Sequence, residues 1–220
     1  MPAPDRLPPG SPARCALVAV KPLASAKSRL SALPSAVRRD LAGAFLADCL
    51  SAWQQTVDTV FVVGPIEQLR AQTANAASPV ELVRDPGTGL NDAFLAAVRA
   101  AAHAGFSQVV ASVADLPALT PDACRAVLTA AAAHRRSFLP DHTGRGTTML
   151  FGPVDGLDPR FENGSANRHR ASGAVDLTGR GRDWPVARHD VDEPRDLQQA
   201  LRLGVGPHTA KVVAASGLAS

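Results

Sequence analysis

The stretch that most restricts the fold is Val-Val-Ala-Ser-Val at 109–113, an uncharged, β-branched run in the middle of a 220-residue chain. It is too short for a buried helix and fits a central strand covered on both faces. Asp115 follows at the carboxyl end of that strand. Pro117 forbids further pairing. Thr120 and Pro121 then read as a helix start, a hydroxyl N-cap followed by proline at N1. In open α/β sheets the ligand crevice lies at the carboxyl ends of the strands. A carboxylate there suits a hard divalent cation that bridges to phosphate, or it merely caps a turn. The stretch alone leaves both readings open.

The remaining pattern repeats this strand-then-helix grammar. Strands are expected at 15–20, 56–63, 80–83 and 137–140, and residues 141–151 read as a Gly-rich turn entering a further strand. Helices are expected at 35–53, 66–74, 92–102, 120–134 and 195–203. In the first helix Val37, Leu41, Ala44, Phe45 and Cys49 follow a period near 3.6, with Asp48 the polar exception at the edge of the stripe. A late strand is expected at 184–188, a polar loop at 160–170, and a Gly-Pro turn with a loose tail at 204–220. The fold class is therefore α/β, a single domain with a mostly parallel central sheet flanked by helices. The domain is placed at 15–213, between a proline-rich leader at 1–14 and a flexible tail at 214–220. The leader has five prolines and no apolar h-region, so it reads as disordered and not as a signal peptide.

Composition narrows the function. There is no run of eighteen apolar residues, which argues against a membrane span. Three cysteines lie scattered at 15, 49 and 124 with no CxxC pair, so neither a zinc site nor a disulfide framework is expected, and a reducing cytoplasm is. The net charge is +3 and aromatics are 4%, giving nucleic-acid binding little support. Lysines number three against twenty arginines, yet Lys21 and Lys27 fall within seven residues, joined by Arg29. Three cations on a loop leaving the first strand suit a triphosphate better than a plain surface loop. The loop carries neither a P-loop nor a dinucleotide pattern.

Four further stretches carry polar chemistry. Residues 84–92 hold glycines that let backbone groups approach a flat ligand, with Asn91 able to read a purine edge or to cap a turn. Gly-x-Gly-Thr-Thr at 144–148 suits either an anion or an ordinary β-turn. The segment around Ser165, Arg168, His169 and Arg170 competes between anion binding and an exposed loop. His169 is a poor metal ligand, having no second His or Cys at ligand spacing. Asp190 and Asp192, two apart, would point to one face of an extended segment and repel unless a cation sits between them. With Asp115 they could complete an oxygen-ligand site for Mg²⁺.

Six motifs in order carry a family resemblance: Ala-Val-Lys-Pro-Leu-Ala-Ser-Ala-Lys-Ser-Arg-Leu at 19–30, Gly-Leu-Asn-Asp-Ala at 89–93, Ala-Asp-Leu-Pro-Ala-Leu at 114–119, Gly-x-Gly-Thr-Thr, Gly-Ser-Ala-x-x-His at 164–169, and Asp-Val-Asp-x-Pro-x-Asp-Leu at 190–197. Together they resemble the guanylyltransferases of deazaflavin coenzyme F-420 biosynthesis, which act on 2-phospho-L-lactate or, in the bacterial branch, phosphoenolpyruvate. The resemblance implies a Rossmann-like, GT-A-type nucleotidyltransferase fold, and transfer of GMP from GTP to a phosphorylated three-carbon acid with release of pyrophosphate. It implies that Asp115, Asp190 and Asp192 hold Mg²⁺. Asp115, Lys21 and Lys27 form the catalytic set, and Lys21, Lys27 and Arg29 grip the triphosphate. Gly89, Leu90 and Asn91 border the guanine. Thr147, Thr148, Glu162, Gly164 and Ser165 surround the acid. One position departs from the pattern: relatives usually place glycine directly after the aromatic of the acid loop, but here Glu162 follows Phe161. The implied partners are GTP and the acid, with no nucleic acid and no membrane, in a monomer or homodimer. The alternatives are a related nucleotidyltransferase acting on a sugar phosphate or molybdopterin, a glycosyltransferase, and a non-catalytic protein on the same scaffold.

Overall fold

The computed structural model describes residues 14–21, 30, 32–74, 79–179 and 183–218. Lys27, Arg29 and residues 1–13 of the leader lie outside the described residues, and Arg14, read as the leader's last residue, opens the first strand. Seven strands form one sheet: β1 (Arg14–Ala19), β2 (Thr59–Gly64), β3 (Glu81–Arg84), β4 (Gln108–Val113), β5 (Ser137–Pro140), β6 (Thr147–Pro153) and β7 (Val175–Asp176). Their order is β3-β2-β1-β4-β6-β5-β7. The four strands from β3 to β4 are parallel, and β6 runs antiparallel to both its neighbours.

The chain steps from β1 outward to β2 and β3, then returns to the other side of β1 as β4. This reversal makes the carboxyl ends of β1 and β4 a topological switch point, where open α/β sheets form their ligand crevice. The expectation drawn from residues 109–113 holds: β4 is covered on both faces, and Val109, Val110, Ala111 and Ser112 are all buried. Alternation sorts the side chains of β1. Ala16 and Val18 pack with Leu46, Trp53 and Val127 on one face, while Cys15 and Leu17 pack with Phe94 and Ala97 on the other. The three cysteines are free and buried.

Helices α1 (Ser35–Gln54), α2 (Ile66–Thr73), α3 (Leu90–His103), α4 (Pro121–Ala131), α5 (Ser165–Ala171), α6 (Pro185–Arg188), α7 (Pro194–Leu203) and α8 (Pro207–Ala215) complete the layers. The Thr120 hydroxyl caps α4, accepting from the Ala123 N–H at 3.2 Å, with Pro121 in the first turn. Strand β2 starts three residues later than expected. Thr56 remains with α1, its hydroxyl donating to the Trp53 carbonyl at 3.0 Å. Among the described residues no helix is long and apolar enough to cross a membrane.

Four expectations are corrected. Residues 184–188 do not form a strand; Pro185 has no N–H for a ladder and instead opens α6. The polar stretch at 160–170 contains helix α5, whose Ser165, Ala166 and His169 are buried. The loose tail is replaced by α8, packed against α1. The same contact corrects Asp48, which is buried and not solvent-facing: its carboxylate accepts the His208 N–H at 3.0 Å and the Thr209 N–H at 2.9 Å. These are orphan donors of the first turn of α8, so a side chain of one helix caps another.

Candidate active site

A cavity of about 950 Å³ opens at the switch point, at the upper end of the range for small-molecule sites. It is walled by Lys21 from the end of β1, Asp115 after β4, the turn before β6, the loop at 161–165 and the segment at 190–196. Lys21 is exposed, and its carbonyl accepts the Gln68 side-chain amide at 3.2 Å, which fixes the backbone where the chain leaves the sheet.

The acidic wall is assembled by one backbone contact. The Val191 N–H donates to the Asp115 carbonyl at 3.0 Å. Val191 is fully buried among Leu30, Phe45 and Leu197, so its neighbours Asp190 and Asp192 turn the other way, and both line the cavity with Asp115. The segment is extended but not part of the sheet. It is held instead by Asp196, whose Oδ2 accepts the N–H groups of Asp192 at 3.1 Å and Glu193 at 2.7 Å. Glu193 and Asp196 form a reciprocal capping box at the start of α7, with Pro194 in its first turn. The motif Asp-Val-Asp-x-Pro-x-Asp thus encodes two acids, an anchor between them and a helix cap that fixes all three.

Charge in this wall is unbalanced. Burial pushes the pKa of Asp190 up to about 6; His142 pulls against the rise, and Asp115 and Asp192 add to it. Its buried Oδ1 has no hydrogen-bond partner among the described residues, and His142 Nδ1 lies 3.6 Å from it. His142 is held above its ordinary pKa, chiefly by Asp190, and its ring lies 4.3 Å from that of His189. Among the described residues no three His, Cys, Asp or Glu side chains form a ready-made metal cage. The acids nevertheless fit a divalent cation: a carboxylate forced toward its protonated form by burial, with two like charges adding to the rise, is relieved by one. An incomplete cage suits a cation that arrives on a polyphosphate and keeps phosphate oxygens as ligands.

The anticipated acid loop lines the same cavity. Thr147, Glu162, Gly164 and Ser165 line the cavity. Thr148 does not. Successive strand residues face opposite sides, and the Thr148 hydroxyl is buried, donating to the Ala187 carbonyl at 2.9 Å. Glu162 has φ 83, a left-handed conformation that a residue with a Cβ adopts at a cost. Of the three residues anticipated at the guanine, Leu90 lines the cavity while Gly89 and Asn91 do not. Asn91 Oδ1 accepts the Phe161 N–H at 2.7 Å. That bond ties the first turn of α3 to the acid loop.

Sequence reasoning passed over His142, Arg145, Arg195 and Asp196, all in the cavity wall. The Gly-x-Gly turn and the x positions of the last motif held Arg145 and Arg195, but an arginine in an arginine-rich chain gave no separate signal.

Residues 14–217 match the family described as Guanylyl transferase CofC like. The chain is 42% identical over 207 residues to a phosphoenolpyruvate guanylyltransferase of Mycolicibacterium paratuberculosis, covering 90% of this chain and 91% of that protein. It is 45% identical over 206 residues to one of Streptomyces scabiei, covering 90% and 94%. Among solved structures, a chain from Desulfovibrio desulfuricans G20 provisionally assigned as a nucleotide-diphospho-sugar transferase superposes with TM-score 0.72 at 16% identity, over 93% of this chain and 95% of that one. A manganese complex of Rv0371C from Mycobacterium tuberculosis superposes with TM-score 0.54 at 18% identity, over 87% and 98%. The fold is that of the GT-A-like nucleotidyltransferases, and by sequence the chain belongs to the CofC-like guanylyl transferase family.

Proposed function

We propose that this protein is a divalent-metal-dependent guanylyltransferase that transfers GMP from GTP to phosphoenolpyruvate and releases pyrophosphate, in coenzyme F-420 biosynthesis. The observation that carries the reading is the convergence of Lys21, Asp115, Asp190 and Asp192 on one cavity at the switch point. Phosphoenolpyruvate is favoured over 2-phospholactate, a sugar phosphate or molybdopterin by the names of the two relatives reported above.

Asp115, Asp190 and Asp192 would hold the cation, for which Mg²⁺ is the natural choice. When bound, it supplies charge neutralisation on phosphate oxygens and on the leaving pyrophosphate. Lys21 binds the polyphosphate from the end of β1, joined in this reading by Lys27 and Arg29. Leu90 supports the base, with Gly89 and Asn91 shaping the loop behind it. Thr147, Gly164 and Ser165 receive the acid. An oxygen of the acid's ionised phosphate attacks the α-phosphorus of GTP, and the bond to the bridging oxygen of pyrophosphate breaks. That nucleophile needs no general base, so the site's task is positioning and charge stabilisation. Buried, unpaired thiols are in keeping with a cytoplasmic protein.

Mass spectrometry of the products formed from GTP, Mg²⁺ and each candidate acid tests the proposal. A guanylylated phosphoenolpyruvate with equimolar pyrophosphate is expected. Intact GTP with every acid would remove the assignment.

A further inference from the structure

Behind the acid-loop wall, His169 is fully buried and does not reach the cavity. Its ring is held by Phe161 in an edge contact with centroids 5.2 Å apart, and by Phe138 at 5.7 Å. Both ring nitrogens are engaged. Nε2 lies 2.9 Å from the Arg160 backbone nitrogen. A backbone N–H can only donate, so Nε2 must present its lone pair. The ring is then neutral with its proton on Nδ1. Burial agrees, pushing the pKa of His169 down to about 4. Nδ1 is 2.9 Å from Thr147 Oγ1, so Nδ1–H donates to that hydroxyl.

The Thr147 hydroxyl is also 3.1 Å from Ser165 Oγ. Neither hydroxyl can donate back into His169, which has no lone pair left to offer. If Ser165 donates to Thr147, the Thr147 proton turns outward. If Thr147 donates to Ser165, the Ser165 proton does. Both residues line the cavity, so in either arrangement one hydroxyl proton is left that can turn into it.

We propose that His169 is a positioning residue which, through Nδ1–H, polarises the Thr147–Ser165 hydroxyl pair into an outward donor for an anionic oxygen of the acceptor acid. This rests on the acceptor site assigned above. It gives the site a preference for a phosphate or carboxylate oxygen over a neutral hydroxyl that must itself donate. A donor fixed by buried chemistry needs no reorientation when the acid arrives.

The test compares His169→Phe, which keeps a ring and loses the donor, with His169→Asn, which keeps an N–H near the Nδ1 position. His169→Phe is expected to raise KM for phosphoenolpyruvate roughly tenfold or more, the scale of a lost hydrogen bond to a charged group. KM for GTP and the GTP-induced rise in Tm should stay unchanged, and His169→Asn should recover part of the loss. On a Thr147→Val background His169→Phe should add nothing further, whereas a purely structural role would still add its own effect. A ¹⁵N spectrum of the unsubstituted protein needs no variant: a protonated Nδ1 and an unprotonated Nε2 are expected, and the opposite tautomer overturns the proposal. An unchanged acid KM in a folded His169→Phe enzyme overturns it too. Failure of the functional reading looks different, since the unsubstituted enzyme would then show no turnover with the acid at all.

Discussion

The backbone N–H of Val191 donates to the carbonyl oxygen of Asp115 across 75 intervening residues, at 3.0 Å. This bond sets the last acidic segment beside the end of β4. Because the Val191 side chain is buried, it also turns both flanking carboxylates into the cavity. Replacing either Asp115 or Asp192 by Asn keeps shape and removes charge. Each variant is expected to fold normally by circular dichroism and to lose at least about a hundredfold in pyrophosphate release, as for removal of one electrostatic contact in a dry site.

Asp190 makes a pH prediction with a definite sign. Its folded pKa, about 6, lies above the ordinary 3.8. The folded state therefore holds the extra proton between these values, and this group's contribution to metal-free stability declines as pH rises through that window. Asp190→Asn should flatten that part of the Tm profile and raise Tm above pH 6. Added Mg²⁺ with GTP should stabilise the unsubstituted protein increasingly as pH climbs through the same window. A profile of identical slope in the two proteins would show that Asp190 carries no such strain.

Asp48 is a stability residue outside the site. Asp48→Ala leaves the N–H groups of His208 and Thr209 without their acceptor, and a loss of about 1–3 kcal/mol is expected in urea denaturation. Gly206→Ala should act through the same contact, since a Cβ there would lie 2.3 Å from Asp48 Oδ1. GTP binding at the cavity should survive both changes.

Thr147 and Thr148 are neighbours with different fates. Thr147→Val should raise KM for phosphoenolpyruvate and also lower Tm, because the buried His169 Nδ1–H loses its acceptor. Thr148→Val should lower Tm, because the buried Ala187 carbonyl loses its donor, with KM unchanged. Steady-state kinetics on the pair separates the two faces of β6.

Glu162 has φ 83, a left-handed conformation that glycine adopts without steric cost. Glu162→Gly relieves roughly 1–2 kcal/mol of left-handed strain, offset by about 0.5–1 kcal/mol of added chain entropy. A small gain in Tm is expected. Removing a carboxylate from the cavity proposed to receive the acid should also lower KM for phosphoenolpyruvate several-fold.

The parts of this protein that follow from local rules were legible in the sequence. The buried run before Asp115, the Thr120-Pro121 helix start and the strand-helix alternation all have short-range causes. Long-range partners were not legible. Asp48 caps a helix about 160 residues away, which made a polar exception look like a surface residue and made α8 look like a tail. Pro185, which has no N–H for a ladder, already spoke against a strand at 184–188 and for the helix it opens. In the site, the spacing of Asp190 and Asp192 gave their common face, but Asp196 as their anchor was hidden inside the helix it caps. In the Thr147-Thr148 pair, two adjacent hydroxyls on an unregistered strand offer no clue to which one faces the cavity.

The most direct measurement of the central claim is Mn²⁺ binding in the presence of GTP, followed by electron paramagnetic resonance on the unsubstituted protein and on Asp115→Asn and Asp192→Asn. The account predicts GTP-dependent Mn²⁺ binding that weakens at least tenfold in each variant. Equal affinity in all three proteins would contradict it.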